Sequence, residues 1–401
     1  MEGCRHRAGS GARPVVAGIV MVLVAALSVA LFGYLGFLWN TARGINSGGH
    51  RLAIPELIKP PSTPSGAATP DTTTFSGQNL LVVGNDDRSA MTDAQVRELK
   101  VGRDGGSLAT DTMLIIHVPA DGSKATLISL PRDSYVTIPG FGAAKLNAAY
   151  GDAYHAESGN VDAKRAAGAD LLIKVVKNLT GVSITHFVQV SLLGFVTISD
   201  AVHGIPINLC HSVDDTVAHN RTLGIEGGSG FKMSAGHHSI QGVQALEFVR
   251  QRHHLPGEDI GRAARQRYFL AAAFRTVSAG LLLDIGRLRS VINALKNSIY
   301  TDQDLNFLDL AQQLSALSAN SIRGGVIPTD HYADVTIDWF FPVNVGVVYP
   351  KAVRAYVRKL LGPSAAPTTA APVTTGPVTT APRTGSSSTK VPTAVDSGCI
   401  D

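Results

Sequence analysis

Two neighbouring runs, residues 112–118 and 125–130, constrain the fold most. Both are nearly continuous in apolar residues. They are joined by Pro119-Ala-Asp-Gly-Ser-Lys124, which suits a hairpin. A strand that is apolar on both sides needs cover on both sides, so this pair belongs centrally in a sheet even if it is antiparallel. Residues 79–84, Asn-Leu-Leu-Val-Val-Gly, read as a third buried strand. Helical periods follow at 162–179 and 192–202, with a strand at 184–190 between them. Thr92 and Gln95 have capping-box spacing for a short helix ending near Lys100. Further helices are predicted at 268–279, 284–298, 304–317 and 350–361, and strands at 322–327 and 335–339. This alternation predicts one α/β or α+β domain over 79–362 with layered architecture and no internal repeat.

The flanks differ in kind. Residues 1–14 carry Arg5, Arg7 and Arg13, and 15–39 hold no charge. A run of about 25 residues can span a bilayer with some tilt. A cleaved signal peptide has a shorter apolar core, about 7–15 residues, and a small-residue cleavage site. This run ends instead in Phe37, Leu38 and Trp39. The expectation is a single-pass plasma-membrane protein with a cytoplasmic N-terminus and everything after Trp39 extracytoplasmic. Residues 40–78 read as a linker, and 363–401 as a Pro/Thr-rich disordered tail ending in a cysteine-containing segment. A net charge of +4 is far from a nucleic-acid-binding composition, so no nucleic-acid partner is expected.

The polar residues concentrate in Ala245 to Arg267, which holds Arg250, Arg252, Arg262, Arg265 and Arg267. In an extended segment Arg250 and Arg252 share a face. In a helix starting near Asp259, Arg262, Arg265 and Gln266 share another. Converging guanidiniums suit phosphate oxygens. Asp86, Asp111 and the Arg132/Asp133 pair stand at three predicted strand ends, where open α/β sheets place ligands. Two converging carboxylates could hold Mg2+ (or Mn2+), which takes oxygen ligands and bridges to phosphates. Asn147 could bond a ligand or a neighbouring loop. The two apolar helices, 162–179 and 192–202, could be core or could wall a pocket for a lipid tail.

These segments together carry a resemblance. Leu81-Val-Val-Gly-Asn-Asp-Asp-Arg88, Thr110-Asp-Thr-Met113, Leu130-Pro-Arg-Asp-Ser134, Lys145-Leu-Asn-Ala-Ala-Tyr150, Leu179-Thr-Gly-Val182, Ala245-Leu-Glu-Phe-Val-Arg-Gln-Arg252 and Asp259-Ile-Gly-Arg-Ala-Ala-Arg-Gln266 occur in that order. The stretch 79–282 resembles the LytR-CpsA-Psr family of cell-envelope enzymes, in its actinobacterial type. The resemblance implies a three-layer α/β/α domain with a central mixed sheet and a hydrophobic pocket for a polyprenyl chain. It implies a phosphotransferase that moves a glycopolymer, arabinogalactan-like or related, from a polyprenyl-pyrophosphate carrier to a peptidoglycan hydroxyl. By motif, Asp86 and Asp111 would hold magnesium. Arg132, Arg250, Arg252, Arg262 and Arg265 would hold the pyrophosphate, supported by Asn147 and Gln266. The family often has Ser-Asp where this chain has Asn85-Asp86, and Ser is common at position 87, so Asp86 and Asp87 compete for the metal.

Phosphoryl transfer needs positioning and charge neutralisation. An acid such as Asp133 or Asp259 would take the attacking hydroxyl's proton. The alternatives are a polyprenyl-pyrophosphate hydrolase and a membrane-anchored wall-binding or regulatory protein without catalysis. Cys4 precedes the apolar run, whereas Cys210 and Cys399 lie beyond it, where disulfides persist. A polar tail that ends in Gly-Cys-Ile-Asp is expected to dock there, through a Cys210–Cys399 disulfide.

Overall fold

A computed structural model describes residues 50–57, 77–88, 91–99, 101, 106–119, 125–216, 227–255, 259–280, 290–291, 293–294, 298–306, 322–336, 342–361 and 398–401. All lie in the second of two compact units, residues 49–401. The expected membrane segment 15–39, its cytoplasmic flank 1–14 and most of the linker and tail lie outside the described residues. Among the described residues no helix is long and apolar enough to cross a membrane.

The chain builds β1 (His50–Leu52), β2 (Gln78–Asp87), α1 (Asp93–Glu98), β3 (Gly106–Val118), β4 (Ala125–Ser129), β5 (Ser134–Ile138) and β6 (Gly142–Lys145). Next come α2 (Ala148–Ala156), α3 (Val161–Thr180), β7 (His186–Ser191), α4 (Leu192–Ala201), β8 (Ile205–Leu209), β9 (Val213–Asp214), β10 (Lys232–Met233) and β11 (Gly236–Ile240). The arginine window follows as α5 (Gly242–Arg250) and α6 (Asp259–Gly280). Then come β12 (Ile299–Asp302), β13 (Ile322–Val326), β14 (His331–Thr336), β15 (Pro342–Val347) and α7 (Pro350–Leu361).

The fold is mixed α/β. A seven-stranded sheet in the order β1-β12-β7-β2-β3-β4-β13 is its centre. β3 and β4 pair antiparallel as interior strands, with β4 next to the edge strand β13, as the double-sided apolar runs require. β2 runs antiparallel to β3 and parallel to β7, and β13 runs parallel to β4, so the sheet is mixed. One face carries α3, whose Ala169, Leu172, Ile173 and Val176 recur at helical spacing against Leu81, Met113, Ile115 and Phe187. The Asn160 side chain caps α3, and Gly181, at φ 76°, ends it in the left-handed region. The other face carries α4, α5 and α6, packed around Phe231, Phe248 and Phe269.

Three expectations change. The presumed linker contributes β1: Leu52 is buried, and Arg51 donates to the Asp302 and Leu305 carbonyls at 3.0 and 2.8 Å. The segment was read as linker because three residues carry almost no periodicity. A second sheet, β14-β15-β5-β6, was foreseen only through residues 335–339, of which 337–339 lie outside the described residues. Its strands are short and depend on each other for partners. Finally, Arg250 ends a helix rather than standing on a strand. Gly242, Ala245, Leu246, Phe248 and Val249 are its buried positions, a spacing of three and four that is helical.

The expected disulfide is present between Cys210 and Cys399. Ile400 forms a parallel bridge with Leu209, and its amide donates to the Asn208 carbonyl at 2.8 Å. The end of the described chain therefore extends the β8 edge.

Candidate active site

A cavity of about 380 Å³ opens between the central sheet and α4, α5 and α6. Its floor is apolar, with Val82, Leu114, Val190, Phe195, Leu246 and Phe269 among its walls. Its polar residues include Asp86, Asp111, Arg250, Arg252, Arg262 and Gln266.

Helical spacing explains which α6 residues reach it. Arg262, Gln266, Phe269 and Leu270 are i, i+4, i+7 and i+8, one stripe. At about 100° per residue, Arg265 falls roughly 60° round from Arg262 and leaves that stripe. It is fully buried instead. Its Nε donates to the Asp401 carbonyl at 2.7 Å, and its guanidinium lies 4.6 Å from the Phe248 ring centre. Burial pushes its pKa down to about 10, against the opposing pull of Asp401 and Asp215. The expectation that Arg265 lines the phosphate site is therefore not met; it anchors the docked end of the chain. Arg267 faces elsewhere too, donating to Ser129 Oγ at 3.0 Å.

Asp111 reaches the cavity through a sheet irregularity. Gly84 pairs with Thr112 and Asn85 with Thr110, so Asp111 has no opposite number in β2. An extra residue of this kind re-aims its side chain. Asp111 and Thr112 thus both line the cavity, although neighbours in a regular strand face opposite ways. Gln266 Nε2 donates to Thr112 Oγ1 at 3.1 Å, tying α6 to this point.

The two neighbouring acids face different ways. Asp86 lines the cavity and pairs with Arg88, whose Nε lies 2.7 Å from Oδ1. Asp87 is not on the cavity wall; it accepts from Arg165 Nη2 at 2.7 Å. Asp111 Oδ1 accepts from Arg132 Nη1 at 2.8 Å, so Arg132 acts at the cavity edge through Asp111. Asp86 and Asp111 thus each already hold a guanidinium. Oxygen donors that accept a guanidinium suit a hard divalent cation, whose remaining ligands would be water and phosphate. Among the described residues no group of three or more His, Cys, Asp or Glu gathers to hold a metal.

The electrostatics of Arg250 are set first by its burial. Burial lowers the pKa of Arg250, Arg88 and Arg252 add to that, and Asp86 and Asp111 oppose it without cancelling it.

Other predicted residues do not reach the cavity. Burial raises the pKa of Asp133, but the Lys145 hydrogen bond (2.7 Å) and the Arg132 charge outweigh it and leave a net lowering. A carboxylate that holds its charge this firmly is a weak base, and Asp133 is off the cavity wall. Asn147 precedes α2 without a side-chain cap bond. Its backbone accepts from the Thr110 amide and donates to the Arg132 carbonyl, which ties these two neighbours together. Asp259 begins α6, and its side chain lies outside the described residues. Of the two helices offered as pocket walls, α4 supplies Leu192 and Phe195, whereas α3 belongs to the opposite face.

Two lining residues escaped the sequence reading. His253 Nδ1 lies 2.9 Å from Oδ1 of Asp215, and both line the cavity. The available signal was His253 directly after Arg252.

Known proteins match this chain over most of its length. The curated "Cell wall biosynthesis protein LcpA" of Corynebacterium glutamicum is 32% identical over 368 residues, 87% of this chain and 66% of LcpA. A "Polyisoprenyl-teichoic acid--peptidoglycan teichoic acid transferase TagU" of Oceanobacillus iheyensis is 30% identical, covering 60% of this chain and 68% of TagU. The chain thus spans about two thirds of the length of these two relatives. A crystal structure of a Streptococcus agalactiae protein superposes with a TM-score of 0.53 at 22% identity, covering 71% of this chain and 88% of that one, and so shares the fold. The model of the LytR_cpsA_psr family matches residues 62–344, and over that span the chain belongs to that family.

Proposed function

We propose that the chain is an extracytoplasmic, membrane-anchored phosphotransferase. It would attach a polyprenyl-pyrophosphate-linked glycopolymer, arabinogalactan-like or related, to peptidoglycan. The observation that carries this reading is one cavity with an apolar floor and a cluster of arginines and carboxylates. A prenyl chain fits the first and a pyrophosphate the second. The similarity to TagU, a teichoic acid transferase, supports this class of reaction, and LcpA's part in cell wall biosynthesis agrees with it.

Arg250, Arg252 and Arg262 would grip the pyrophosphate, donating charge-assisted hydrogen bonds to its oxygens. Gln266 holds α6 to Thr112 and keeps Arg262 in place. Asp86 and Asp111 would hold the divalent cation, which when bound neutralises charge on the phosphoryl oxygens. Arg132 fixes Asp111 from outside the cavity. The apolar walls would exclude water from the phosphorus, favouring a sugar hydroxyl over hydrolysis.

The test supplies full-length protein with a polyprenyl-pyrophosphate-linked glycan, peptidoglycan and magnesium. Covalent glycan on peptidoglycan is the expected product. Release of glycan phosphate without linkage would indicate a hydrolase, and metal-independent binding without turnover a wall-binding protein. Separately, a polyprenyl phosphate should raise the melting temperature by mass action.

A further inference from the structure

With Asp133 tied up by Lys145 and Arg132, the transfer still needs a group to accept the attacking hydroxyl's proton. We infer that His253, oriented by the buried Asp215, is that group. This rests on the transferase reading and assigns a residue within the same site.

The dyad is built from several sides. Asp215 is fully buried, and its carboxylate has two partners. Oδ1 meets His253 Nδ1 at 2.9 Å, and Oδ2 accepts the Ser229 amide at 2.8 Å. Gly228 packs so closely that a Cβ there would fall 2.1 Å from the Asp215 carbonyl oxygen. The turn bearing His253 is held as well. Gln251, fully buried, donates from Nε2 to the His253 carbonyl at 2.9 Å, and His254 adopts φ 64°, a left-handed conformation uncommon outside glycine. Backbone strain of this kind persists only where surroundings impose it.

Asp215 therefore fixes which ring nitrogen carries the hydrogen. Nδ1–H donates to the carboxylate, which leaves Nε2 with its lone pair. The His253 side chain is about a third exposed and lines the cavity, while its partner is sealed. A carboxylate that orients an imidazole and stabilises its protonated form is the working principle of hydrolase triads. The charged groups that share the cavity with the ring are Asp86, Asp111, Arg250, Arg252 and Arg262.

In the step, the acceptor hydroxyl oxygen attacks the phosphorus that bears the glycan. The new O–P bond forms as the bridging P–O bond breaks, and the polyprenyl phosphate leaves with the electron pair. The hydroxyl proton passes to His253 Nε2, and the imidazolium then returns it to solvent. Asp215 is a positioning residue throughout.

The experiment measures glycopolymer transfer by the full-length protein with His253→Ala and His253→Gln, with and without added imidazole. Loss of the base should lower kcat about 10²–10⁴-fold. KM for the lipid-linked donor should change little, and imidazole should restore part of the His253→Ala activity. Wild-type-like kcat in both variants would overturn the inference, as would a loss confined to KM. A kcat loss that imidazole leaves untouched, with unchanged melting temperature, would also overturn it. If the wild type itself links no glycan, the transferase reading has failed rather than the role of His253.

Discussion

The two faces of the central sheet use the same strands and reach opposite ends. On one face Leu81, Met113 and Ile115 share one buried cluster with the apolar stripe of α3. On the other, Val82, Thr112 and Leu114, their alternating neighbours, border an open cavity under α4, α5 and α6. Sequence hydrophobicity does not distinguish these faces, because apolar residues serve a packed core and a greasy pocket equally well. Polar residues at the rim make the difference. Asp87, one residue from Asp86, is turned to Arg165, where a charge is held for structure.

Four perturbations should separate the faces, the largest first. Arg250→Ala should lower transfer about 10²–10³-fold, the usual scale for removing one preorganised donor to developing charge. Arg250→Lys should be nearly as poor, because an ammonium lacks the planar fork. The fold, followed by circular dichroism and melting, should be intact in both; near-normal activity in Arg250→Lys would reduce the cluster to a generic basic face.

Leu172→Ala should do the reverse. Leu172 is fully buried in α3, and truncation there should cost about 2–5 kcal/mol in denaturant unfolding. Turnover per folded molecule should not change. A drop in kcat would mean that the two faces are coupled.

Cys399→Ser should come next, costing about 2 kcal/mol on the scale of native disulfides. The loss should show as a lower melting temperature. An equal melting temperature for reduced and oxidised wild type would show that the Ile400 bridge and the Arg265 contact suffice alone.

The smallest effect should come from Asp133→Asn. The folded pKa of Asp133 is lowered, so its contribution is present above the unfolded value, about 3.9, and is lost as pH falls through the folded pKa. The melting-temperature gap between wild type and variant should therefore narrow below about pH 4. A gap that is flat with pH would remove Asp133 from the acid dependence.

Particular residues show how far the sequence could be read. The paired apolar strands foretold two interior strands of the sheet, and Thr92 with Gln95 foretold the cap of α1, in which both reciprocal bonds are made. The arginine window marked one wall of the cavity. What escaped depends on partners distant in the chain. Asp111 gains its aim from a register shift against β2, which no local pattern encodes. Arg265 was grouped with Arg262 because three-residue spacing allows it, but the docking of Asp401 claims that side of the helix. His253 was passed over because its meaning lies in Asp215, 38 residues earlier in the chain.

The Cys210–Cys399 bond makes everything between its ends a covalent macrocycle, with 189 residues of sequence separation. Both arginine-bearing helices, α5 and α6, lie inside that ring. A single proteolytic cut anywhere within it adds one water to the mass and liberates nothing. The two stretches of the opened ring separate only after a thiol reductant has been added. A protease that clips the Pro/Thr-rich segment once would therefore leave a nicked molecule of full mass plus one water, its last residues still seated along β8.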